Sequence, residues 1–280
     1  MVLLCLLVAL VLLQSQTVTD SIQKDQWFDS WLSWLDTKVN GAENTLLFAL
    51  LALALPLLAL SIGLALLAKI SVFLVFLVSI LLLLYGFGRG NWTDSLYNLR
   101  SAYLSEDADT VREQLTHWLP VSKDTEGGWR EQAMTSVIYC AFERTFVVLF
   151  WFILLGPIGA VLYRLIALLQ NYTDLNSIGK NAVERWQWLL EWPAARLLGF
   201  SLAVVGNFAG CFHQWKICAL CSQRSTSTVL THYIRGALTS YQEDNNTSAD
   251  DIELDIDAVI ELYKRSLLLW ICVLAIFWII

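Results

Sequence analysis

Residues 46–87 read LLFALLALALPLLALSIGLALLAKISVFLVFLVSILLLLYGF, and Lys69 is the one charged residue among them. A single helix of that length, rising about 1.5 Å per residue, would be about twice as long as the hydrocarbon core of a bilayer is thick. A soluble core helix would need a polar face, and this run has none. Two helices in a tight hairpin satisfy both constraints. We expect them over 46–67 and 70–87, turning at Lys69, with Pro56 kinking the first.

Outward from the hairpin, the composition agrees. The 280 residues are 57% hydrophobic and only 15% charged, and mean hydropathy is +0.57. Soluble domains carry about 25% charged residues. A net charge of −7 excludes the basic stripes that nucleic acid requires, so no nucleic-acid partner is expected; the partner is the lipid bilayer. Six scattered cysteines are no disulfide framework. Tryptophans flank several apolar runs, as ring systems with one polar group do at a membrane interface.

The remaining segments are read from their periodicity. Residues 1–45 form an N-terminal apolar helix followed by an amphipathic segment, in which Trp27, Trp31, Trp34 and Leu35 share one face. Residues 88–144 are polar and helical. A further span covers 145–169, broken by Gly156, Pro157 and Gly159. Residues 170–266 are amphipathic and polar helices without a clean span, containing a mobile linker at 239–251. Residues 267–280 form a short C-terminal span anchored by Lys264 and Arg265. The expected fold is all-α: a polytopic helical membrane protein with about four transmembrane helices plus amphipathic and surface helices.

Few constellations carry chemistry. Cys211, His213, Cys218 and Cys221 have zinc-like spacing. The second half of a ribbon or finger is missing, so no metal site is expected, and buried thiols packing as small apolar groups explain the cluster. No phosphate loop or nucleophile elbow occurs. The span at 145–169 says more. Glu143 and Arg144 stand at its entrance and Arg164 near its exit. A guanidinium at membrane depth must pair, hold an anion or reach the interface. Glu143 is a possible ion-pair partner for an arginine of another helix.

The stretch Glu143-Arg-Thr-Phe-Val-Val-Leu-Phe-Trp-Phe-Ile-Leu-Leu-Gly-Pro-Ile-Gly-Ala-Val-Leu-Tyr-Arg164 resembles the signature of the AmpE family. Those are bacterial inner-membrane proteins associated with β-lactamase induction and encoded beside the peptidoglycan-recycling amidase AmpD. Glu191-Trp-Pro-Ala-Ala-Arg-Leu197 resembles a second family segment, with Pro193 one place early. AmpE in turn is similar to the CobD/CbiB enzymes of cobalamin biosynthesis, which attach the aminopropanol arm to the corrin in an ATP-dependent step. Lys123-Asp124-Thr125 is close to the R-D-T of those enzymes. Their acidic run ahead of the F-W falls on Thr135, Tyr139 and Cys140, their N-T-L-D on Ala167 to Gln170, and their Asp-Asp on Gln187 and Trp188. Carboxylates hold Mg²⁺-nucleotide or act as bases, so their loss implies a related scaffold without the reaction.

The resemblance therefore implies a non-enzymatic, multi-pass inner-membrane protein with a sensory or regulatory role in peptidoglycan recycling and β-lactamase induction. No cofactor and no catalytic residue are expected. An anionic ligand derived from the cell wall and a partner in the AmpD pathway are. The ligand-binding or structural-pair residues would be Glu143, Arg144, Trp151, Gly156, Pro157, Tyr163, Arg164, Arg196, Lys123 and Asp124. The alternative is a CobD/CbiB-like ATP-dependent transferase or ligase with altered acids, using Asp124, Glu126 and Glu131.

Overall fold

A computed structural model of the chain describes residues 2–13, 25–39, 45–88, 129–170, 172, 177–218, 224–238 and 249–279. Every element among them is helical: α1 (Val2–Leu13), α2 (Gln26–Val39), α3 (Thr45–Ile70), α4 (Val72–Gly86), α5 (Trp129–Ala141), a π-helical turn (Phe142–Val147), α6 (Val148–Leu155), α7 (Pro157–Gln170), α8 (Ser177–Val205), α9 (Phe208–Cys218), α10 (Thr226–Ala237) and α11 (Ala249–Ile279). The all-α expectation holds. Lys123 and Asp124, with Glu126, lie outside the described residues.

Residues 1–89 and 147–190 form one compact unit. Its centre is α3 and α4, which meet at Ser71. Helix α3 is apolar all round, yet only 11% of its most apolar window is buried in protein. Leu47, Leu50, Leu58, Ile62 and Leu66 point outward. Water would not tolerate such a surface, whereas lipid tails cover it at no cost. Where α2 crosses α3, Phe28, Leu32 and Leu35 are buried against Phe48, Ala49 and Ala52. Burying such a side chain is worth about 1.5–3 kcal/mol against water. The tryptophan stripe is not the buried face: Trp27 and Trp34 are exposed, and Trp31 is half-buried, donating from Nε1 to the Ala52 carbonyl at 3.3 Å. The buried face of α2 is instead Phe28, Leu32 and Leu35.

The expected single span at 145–169 is two helices. Gly156 has φ +67° and ψ −154°, a conformation that a side chain makes costly, and Pro157 starts α7 there. Helix α7 then packs on α6, α4 and α3. Helix α1, twelve apolar residues, places Cys5, Leu6 and Ala9 in protein and packs on α4.

The second unit comprises residues 90–146 and 191–280. Here α9 packs on α10, and α10 on α5. Phe146 is buried against Tyr263 and Trp270, at ring-centroid distances of 5.4 and 5.3 Å. Trp270 donates to Ser201 Oγ at 2.8 Å, and Tyr263 to the Ile138 carbonyl at 3.0 Å. Each indole and phenol is thereby satisfied in an apolar setting.

Three helical stretches among the described residues are long and apolar enough to cross a membrane: Thr45–Ile70, Met134–Leu155 and Ser177–Val205. Two of them revise the sequence reading. The span expected from 145 begins upstream, within what read as the polar segment 88–144. Helix α8 runs through Pro193 to Val205, inside the segment 170–266 that read as having no clean span. The polar residues that masked it, Gln187, Glu191 and Arg196, are buried among partners. The expected C-terminal span 267–280 is the end of α11, which begins at Ala249 inside the expected linker 239–251.

Candidate functional site

Arginine 164 lies on α7, one position after the buried Tyr163. Its Nη2 donates to Asp25 Oδ2 at 2.8 Å, and the two side chains are 17% and 15% exposed. Asp25 immediately precedes α2, so the amphipathic helix carries the counter-ion to the apolar core. Trp27 Nε1 donates to the Tyr85 hydroxyl at 3.2 Å, and that hydroxyl lies beside both charges. Arg164 Nε and Asp25 Oδ1 are buried without a hydrogen-bond partner among the described residues. Among the described residues the guanidinium Nε has no partner beyond this pair. Gly88 sits against the guanidinium, and a Cβ there would meet Arg164 Nη1 at 2.7 Å.

A second cluster occupies the other unit. Tyr139 donates to Glu191 Oε1 at 2.6 Å. Glu191 and Arg196 are buried, on α8 either side of Pro193. The Arg196 guanidinium stands 4.8 Å over the Trp192 ring and donates from Nη2 to the Cys218 carbonyl at 3.2 Å. The Arg196 carbonyl accepts from Trp215 Nε1 at 3.0 Å. A short hydrogen bond to a buried carboxylate is worth about 1.5–3 kcal/mol. Tyr139→Phe is expected to lower stability by about 2 kcal/mol, which thermal unfolding in detergent would register, and an unchanged midpoint would contradict the bond.

Where the sequence candidates fall is mixed. Glu143 and Arg144 sit on the π-helical turn, a local irregularity common at functional sites, and both make contacts there. Trp151 Nε1 donates to the Leu190 carbonyl at 3.0 Å, tying α6 to α8. Gly156 and Pro157 make the break before α7. Tyr163 is buried. Arg164 pairs with Asp25 rather than Glu143, because α2 delivers a carboxylate to α7 from 139 positions away. Asp25, Tyr85 and Glu191 were not among the candidates. Glu191 alone carried a signal, standing first in the E-W-P-A-A-R segment.

The cysteine motif is pulled apart by its helix. Cys211 and Cys218, two turns apart on α9, face inward, while His213 is exposed on another face. Cys211 donates to the Gly199 carbonyl at 3.5 Å, and burial pushes its thiol up to about 12, far from a metal-binding thiolate. Cys221 lies outside the described residues.

Two of the positions on which the resemblance places acids, Thr135 and Tyr139, hold neutral side chains with partners. The Thr135 hydroxyl accepts from Thr231 at 3.2 Å, Tyr139 bonds Glu191, and Cys140 is buried. Gln187 is also buried.

Taken together, the fold defines an all-helical membrane protein with buried ion-pair and carboxylate clusters. A family model described as CobD/Cbib protein matches residues 4–229, so the chain belongs to the CobD/CbiB family. It is 30% identical over 152 residues to the cobalamin biosynthesis protein CobD of Chromobacterium violaceum, covering 50% of this chain and 47% of that protein. It is 34% identical over 108 residues to the cobalamin biosynthesis protein CobD of Stutzerimonas stutzeri, covering 34% of each. The chain thus spans less than half the length of these curated relatives in the matched regions. No solved structure matches. The matches support the cobalamin side of the resemblance and not the AmpE side.

Proposed function

We propose that this protein acts in cobalamin biosynthesis from the cell inner membrane, in the ATP-dependent attachment of an aminopropanol arm to the corrin. The observation that carries this reading is the family match over residues 4–229. The polar clusters of each unit support this reading separately. Arg164, with Nε unused, would hold an anionic group of a substrate, and Glu191, oriented by Tyr139, would serve as a carboxylate in the other unit. Asp124, Glu126 and Glu131 remain further acids for this reading.

One observation favours a second reading. Thr135, Tyr139 and Gln187 are neutral where the resemblance places acids, and Thr135 and Gln187 are buried. A protein that kept the scaffold and Arg164 but not the acids would bind an anionic ligand, such as a cell-wall fragment, without turning it over. That is the regulatory role the AmpE resemblance implies.

Complementation separates the two. A cobalamin-requiring bacterial strain deleted for its CobD protein is expected to regain growth without added cobalamin when this chain is expressed. Failure to grow, with the protein present in the membrane fraction, would sink the first reading and leave the second.

A further inference from the structure

We propose that the second unit carries a binding site for a zwitterionic phospholipid, recognised through an ethanolamine phosphate headgroup. A cavity of about 520 Å³ lies where the end of α8 meets the start of α9, the end of α10 and the middle of α11. Val205, Leu238 and Leu262 supply apolar wall, Asn207 supplies an amide, and Glu261 and Arg265 stand together at the rim.

The two charges lie one turn apart on α11 and contact each other. Their side chains are 61% and 59% exposed, so the contact is screened and opens readily. A ligand carrying both signs would exchange that contact for two of its own, ammonium to Glu261 and phosphate to Arg265. A purely anionic headgroup would face Glu261, and a purely cationic one Arg265. A trimethylated ammonium has no N–H to donate to the carboxylate, which separates ethanolamine from choline.

The position along α11 points to a lipid as the source. Beyond Arg265 the helix turns apolar, and Leu268, Val273, Ile276 and Phe277 are exposed. Val204 and Phe208, flanking the cavity on α8 and α9, are exposed as well. Charged residues just ahead of a lipid-facing run sit at headgroup level, where acyl chains continue along the apolar surface. The apolar walls then take the glycerol and first methylenes. This site is independent of the Arg164 and Glu191 clusters.

The test is native mass spectrometry of the full chain in detergent, offered phosphatidylethanolamine, phosphatidylcholine, phosphatidylglycerol and free phosphoethanolamine in separate arms. We expect phosphatidylethanolamine to be retained about tenfold better than the other two lipids. Glu261→Gln and Arg265→Gln should each remove that preference while leaving the unfolding midpoint unchanged, since both side chains are exposed. Equal retention of the three lipids, preference for free phosphoethanolamine over the lipid, or unaltered retention by both variants would overturn the proposal.

Discussion

Gly159→Ala is expected to lower stability by about 3 kcal/mol, through one added methyl group. The reason is the tight turn that Gly156 and Pro157 make between α6 and α7. A Cβ on Gly159 would fall inside van der Waals contact with the Trp151 carbonyl oxygen and 2.8 Å from Leu155 Cβ. The first of these is backbone of the preceding helix and has no rotamer to yield. The turn would have to open, dragging α7 off α4 and α3. Gly63→Ala is the control. It lies inside α3 with nothing within 4 Å of an added Cβ, so alanine should leave stability unchanged or raise it by about 0.5–1 kcal/mol. Unfolding midpoints of the two variants in the same detergent check the contrast, and equal midpoints would contradict the tight turn.

Breaking the Arg164–Asp25 pair carries the other large effect. Arg164→Ala leaves a carboxylate 15% exposed among apolar helices, and Asp25→Ala leaves a guanidinium there. Removing one partner of such a pair costs about 3 kcal/mol, most of it the charge left behind. The double variant Asp25→Ala/Arg164→Ala should therefore lose less than the two single losses combined, with a coupling of about 2 kcal/mol. Additive losses would mean that the two side chains act independently. Arg164→Lys keeps the charge but loses the planar fork, and should fall between wild type and Arg164→Ala.

How far the sequence could be read depended on what each residue had to satisfy. The two apolar helices within 46–87 were legible because no helical period gives that run a polar face. Gly156, Pro157 and Gly159 announced a break. That the chain turns tightly enough to press α7 on α6 depends on the positive φ at Gly156, which glycine allows but does not demand. Helix α8 was hidden because Gln187, Glu191 and Arg196 interrupt its apolar run. Their burial follows from partners such as Tyr139 and the Cys218 carbonyl, which no local window contains. The same holds for Arg164. Sequence required a partner for it and offered Glu143 as one, while the fold brought Asp25 from the far side of the hairpin. The metal-like cysteine spacing failed for a simpler reason, since helical period puts positions 211 and 218 on one face and 213 on another.

The chain is a membrane protein of the CobD/CbiB family, and the activity proposed for it is an ATP-dependent attachment of aminopropanol phosphate to a corrin. Its most direct test is the purified full chain in phosphatidylethanolamine-containing vesicles, supplied with ATP, Mg²⁺, an acceptor corrin and aminopropanol phosphate, with ADP release followed over time. ADP formation is expected to require both the corrin and the aminopropanol phosphate and to be lost in Glu191→Gln. Absence of ADP from a protein that unfolds with an intact cooperative transition would contradict it.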